Sequence, residues 1–123
     1  MSNHLNFNSA TFKVLLIFLA WRLFLVIIAF FAVSFIPLAA RDRFLGGGAV
    51  NYFLLPHFFA WANFDGEHYL SIAIFGYKFL EQAFFPIYPL LISIFSRPHA
   101  GDLAASLVNG TMGGLIISNV SFV

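Results

Sequence analysis

From Val14 to Leu38 the chain runs for twenty-five residues in which only Arg22 and Ser34 are polar. At about 1.5 Å per residue a helix of that length reaches roughly 37 Å, beyond the roughly 30 Å of a bilayer's hydrocarbon core. The run therefore predicts a tilted transmembrane helix, and it rules out reading the chain as an ordinary soluble domain. Leu38-Ala39-Ala40 mimics a signal-peptidase site, but the apolar stretch is too long and contains an arginine, so an uncleaved anchor is the reading adopted. Arg22 lies next to Trp21, and an unpaired cation there costs about 2.5 to 3.5 kcal/mol. It either faces protein, water or a lipid phosphate, or snorkels to the nearer headgroups.

The composition carries the same conclusion to the whole chain: 61% of residues are hydrophobic, eighteen of them Phe, and 9% are charged. The expected class is an all-α integral membrane protein with no soluble domain left over. A net charge of +1, with no cluster of Lys and Arg, excludes a nucleic-acid partner. No cysteine is present, so disulfides and thiolate metal sites are excluded as well.

Met1 to Phe12 is a short polar tail, Arg41-Asp42-Arg43 marks a membrane exit, and Gly46-Gly47-Gly48 is a loop. Asn51 to Ala62 is rich in aromatic residues, too short to span and broken at Pro56-His57, so it is expected to lie in the membrane interface. The segment 39–82 as a whole is expected to be an outer loop with interfacial helices, ending in a polar turn over Lys78 to Gln82. Residues 83–96 form a short second span that Pro86 or Pro89 starts, and 103–123 a third, with Asp102 as its N-cap. In that third span Ser106, Gly110, Gly114 and Ser118 recur every four residues, a strip that predicts a closely packed neighbouring helix. The two N-x-[ST] strings at Asn109 and Asn119 fall inside the same apolar run, where a glycosylating enzyme has no access.

Chemistry is concentrated between Trp61 and Tyr69, where Asp65, Glu67 and His68 stand within four positions among aromatic rings. Gly66, with Asn63 and Phe64, reads as a break followed by a helix from Glu67 to Tyr77, capped by Asp65. On that helix Asp65, His68, Tyr69 and Ile72 share one side, and Leu70, Ala73, Ile74 and Tyr77 make an apolar side for the membrane surface. A carboxylate beside an imidazole suits general acid or base work, and an acid at a helix start is equally suited to capping it. His4, His57, His68 and His99 do not fall at a metal-ligand spacing and there is no Asp-x-Asp pair, so a metal requirement finds no support, and the need for a divalent ion stays open.

Taken whole, the string resembles a known family. Trp61, Phe64-Asp65-Gly66-Glu67-His68-Tyr69, Ile72-Ala73, Gly76-Tyr77 and Ala83-Phe84-Phe85-Pro86 with Pro89 follow, in order, the pattern of the GT-C mannosyltransferases related to the second mannosyltransferase of glycosylphosphatidylinositol anchor assembly. Phe64 departs from it by standing where the family usually has a second Trp. The resemblance implies the N-terminal part of a polytopic helix bundle, with about three spans here. It also implies inverting transfer of a mannosyl or similar hexosyl group from a polyprenyl or dolichyl phosphate sugar to a hydroxyl of a lipid-linked or glycan acceptor. Asp65 would be the catalytic base, and Trp61, Glu67, His68 and Tyr69 substrate-binding residues. No cofactor is implied. Residues 39–82 would lie on the non-cytoplasmic side of a prokaryotic plasma membrane or an endoplasmic reticulum membrane, a side that charge counting leaves close to a tie.

The sequence reaches Val123 within apolar residues, which points to a longer polytopic protein of which this chain is an inactive part. The competing class is a non-catalytic membrane scaffold that binds through the small-residue strip. A transporter is disfavoured because only Arg22 is deeply placed.

Overall fold

The computed structural model describes residues 9–38, 44–46 and 48–122. All regular structure among them is helical, and two helices are long and apolar enough to cross a membrane: Ala10–Phe35 and Leu103–Val120. The chain divides into two compact units, one to Phe35 and one from Ile36 onward.

The first unit is helix α1, Ser9–Phe35. It starts earlier than the apolar run suggests and stops two residues before Pro37, whose ring disfavours helical backbone at Ile36. The membrane-length window of α1 has no buried residue. Arg22 stays on its own helix, its guanidinium 5.2 Å from the centre of the Phe18 ring one turn earlier.

The second unit begins with a single turn at Phe44–Gly46 and two short helices, α2 (Ala49–Tyr52) and α3 (Pro56–Phe59). This segment, expected to lie in the membrane interface, has two sets of side chains. Phe53, Leu54 and Leu55 are exposed, while Tyr52, Phe59 and Ala62 enter the core. Phe44 organises them, with its ring 5.7 Å from Tyr52 and 5.5 Å from Phe59.

Helix α4, Asp65–Phe75, follows, then α5 (Ile87–Ser96) and α6 (Leu103–Val120). The span expected over 83–96 contracts to ten helical residues, about 15 Å, half a hydrocarbon core. Pro86 explains the loss: Phe84 is extended, and the helix begins only after the proline. Asp102 caps α6 as expected, its side chain accepting from the amide of Ala105 at 3.1 Å.

The strip on α6 has its neighbour inside the chain. A Cβ on Gly110 would meet Leu70 at 3.0 Å and Ser96 at 3.4 Å, and one on Gly114 would meet the Tyr88 hydroxyl at 3.1 Å and Ile92 at 3.3 Å. The α5–α6 hairpin is thus a close backbone approach, tied by Ser106 donating to the His99 carbonyl at 2.7 Å and Tyr88 donating to the Gly114 carbonyl at 3.0 Å. Gly110 and Gly114 are thus occupied within the chain, while Ser118 stays exposed. Asn109 and Asn119 each donate to a carbonyl four residues earlier, which absorbs both asparagines of the N-x-[ST] strings into their own helix.

The apolar side of α4 also differs from expectation. Leu70 and Ala73 are buried in the core with Phe59, Ile92 and Leu107 instead of facing a membrane surface. Ile72, expected on the reactive side, is buried too. The hairpin offers α4 a protein groove, and filling it removes Leu70 from water, a gain of about 1.5 to 3 kcal/mol for such a side chain.

Candidate functional site

The site lies at the start of α4. The residue before the helix, Phe64, has φ 59° and ψ −121°, and its ring is 87% exposed. A phenylalanine in that region is strained by on the order of 1 to 3 kcal/mol, and its exposed ring regains little of this by burial. The turn has a local consequence: the amides of Gly66 and Glu67 are taken by the carbonyls of Asn63 and Phe64, at 3.3 and 3.1 Å. Those are the second and third helical amides counted from Phe64, the capping position, whose side chain has no acceptor. Asp65 is therefore the first helical residue and not the cap, and it makes no cap bond. Its carboxylate is exposed and has no hydrogen bond or ion pair among the described residues, at the end of the helix where the backbone dipole favours negative charge.

One turn on, His68 stacks on Phe84, ring centres 4.9 Å apart and planes at 26°. Tyr69 meets Phe84 edge-on at 5.1 Å and Tyr88 edge-on at 4.9 Å. The fold thus brings the Asp65 to Tyr69 string against the Ala83-Phe84-Phe85-Pro86 string fifteen residues later in the chain. Glu67 is engaged elsewhere: its Oε2 accepts from the Leu45 amide at 3.4 Å, which fastens the Phe44–Gly46 turn to α4.

Trp61 and Tyr69 line a half-open cleft of about 40 Å³, together with Tyr88, Gly110, Gly114 and Thr111. At roughly 10–15 Å³ per water, that space holds two to four waters and no sugar ring. Thr111 is 4% exposed, and its Oγ1 has no hydrogen-bond partner among the described residues. Of the five residues singled out from the sequence, Trp61 and Tyr69 share this cleft, His68 joins Tyr69 on the Phe84 ring, and Asp65 and Glu67 stand outside the cleft lining.

Glu81 joins the site without having been among those five. It lies in the Lys78–Gln82 stretch that reads as a plain turn, yet it is only 7% exposed. Its Oε2 accepts from the Lys78 amide at 2.9 Å, and its Oε1 stands 3.7 Å from His68 Nδ1. The contact with Lys78 is local, a side chain reaching back to an amide three residues earlier. Among the described residues no three of His, Asp and Glu converge as a metal site.

No known family model, no curated protein and no solved structure matches this chain.

Proposed function

We propose that this chain carries the catalytic loop of an inverting membrane glycosyltransferase of the GT-C type. It would move a mannosyl or similar hexosyl group from a polyprenyl or dolichyl phosphate sugar to a hydroxyl of a lipid-linked or glycan acceptor. The observation that supports this most is the meeting of the two motif halves, with Asp65 left exposed one turn from the His68–Phe84 stack. A carboxylate whose neighbouring amides are already bonded is free to take a proton.

In the proposed step the acceptor oxygen attacks the anomeric carbon from the face opposite the phosphate. The new C–O bond forms as the bond from that carbon to the phosphate oxygen breaks. The electron pair leaves on the phosphate, and the hydroxyl proton passes to Asp65. One displacement without a covalent enzyme intermediate inverts the configuration, and Trp61 and Tyr69 wall the side on which the substrate is held.

The test is Asp65→Asn in the intact protein, assayed for sugar transfer from a prenyl phosphate donor. Loss of about 10²- to 10⁴-fold in rate, with membrane insertion and thermal stability unchanged, is the expected result. Most of the activity surviving would reduce Asp65 to a dipole-stabilising helix start.

A further inference from the structure

The His68–Glu81 pair is not explained by folding alone. Glu81 is a nearly buried carboxylate in an apolar chain, and one of its oxygens is committed to the Lys78 amide. The other faces His68 Nδ1 at 3.7 Å, longer than a hydrogen bond and close enough to orient the ring. The Lys78 ammonium is turned elsewhere, with Nζ 3.4 Å from Ser71 Oγ and 4.4 Å from the centre of the Phe75 ring. His68 itself is held flat on Phe84 while about half of its side chain remains exposed. A buried acid thus faces one edge of an imidazole that stays about half exposed.

We propose that His68 binds the phosphate of a prenyl phosphate through Nε2–H and that Glu81 is the positioning residue that holds the ring in place. This rests on the transferase reading and extends it, giving the anionic leaving group a partner one turn along α4 from the base. An imidazole N–H donating to an ionised phosphate oxygen forms a charge-assisted bond, stronger and shorter than one between neutral groups. The exposed rings of Phe79 and Phe85 on either side of Glu81 supply apolar surface for the prenyl chain.

The experiment titrates the intact protein in lipid nanodiscs with citronellyl phosphate and, in parallel, with inorganic phosphate. Glu81→Gln, which keeps an acceptor for the Lys78 amide, and His68→Gln are each expected to weaken citronellyl phosphate binding about tenfold. The double variant is expected to lose no more than either alone, because Glu81 acts through His68. Additive losses, or unchanged affinity in either variant, would overturn the assignment. Equal affinity for inorganic phosphate would overturn the lipid source. His68→Gln alters an exposed side chain and decides the question alone if Glu81→Gln does not fold. A tenfold loss here beside a silent Asp65→Asn transfer assay removes the transferase and leaves the phosphate site. The opposite pair of results removes the phosphate site alone.

Discussion

Phe64, by its backbone, and Thr111, by its hydroxyl, are among the residues at which local rules are broken. Thr111 lies in the wall of the cleft with an Oγ1 that has no hydrogen-bond partner among the described residues, and a buried polar group in that state costs about 1 to 3 kcal/mol. Thr111→Val keeps the shape and removes the unpaired group, so it should raise stability by about 1 kcal/mol, measured as a higher midpoint of thermal unfolding in detergent. A lower midpoint would mean that the hydroxyl has a partner in the cleft. Neither defect is legible in the sequence. A positive φ at phenylalanine contradicts propensity, and Asn63-Phe64-Asp65-Gly66 advertises a break without saying which residue absorbs it. Asp65, His68 and the rings are legible because charge is so scarce in this chain. Glu81 is not, because a lone acid between Lys78 and Gln82 looks like ordinary turn chemistry until the fold buries it.

Among the elements, the α5–α6 hairpin does most to position the site, since it forms the groove that takes Leu70 and the ring of Tyr88 that meets Tyr69. The four-residue repeat from Ser106 to Ser118 forecasts a close neighbour. The closest approach, however, is at Gly113, off that strip, where an added Cβ would fall 2.5 Å from Cγ and Cδ2 of Phe95 and 2.9 Å from its Cβ. Those atoms lie at the root of the ring and cannot swing aside without moving Phe95 as a whole. Gly113→Ala should therefore destabilise by about 1 to 3 kcal/mol. Gly101→Ala is the control, because nothing lies within 4 Å of its added methyl, and it should be neutral or stabilise by about 0.5 kcal/mol. Equal unfolding midpoints for the two variants would show that Phe95 does not pack on Gly113. The pattern of small residues thus reveals that α6 has a partner, while the partner's identity depends on where Pro86 starts α5, which periodicity alone does not give.

At the scale of the whole molecule, the decisive contrast is between the two membrane-length helices. A third of the window in Leu103–Val120 is buried by its own chain, whereas none of that in Ala10–Phe35 is. Side chains such as Ile17, Leu23 and Ile27 are exposed all along α1, and leaving such surface in water costs roughly 1.5 to 3 kcal/mol per residue relative to burial. A bilayer removes that cost. Because the chain has no cysteine, single replacements report their surroundings without any prior change to the sequence. In permeabilised membrane vesicles, Cys introduced at Ile17, Leu23 or Ile27 should resist a membrane-impermeant maleimide and react only after denaturation. Cys at the exposed polar positions Asp65 and Gln82 should react at once. Labelling at all three α1 positions in intact membranes would mean that water surrounds the helix. The long apolar run would then no longer fix the class of the protein, and a phosphate-lipid substrate held at the start of α4 would lose the membrane in which it has to be dissolved.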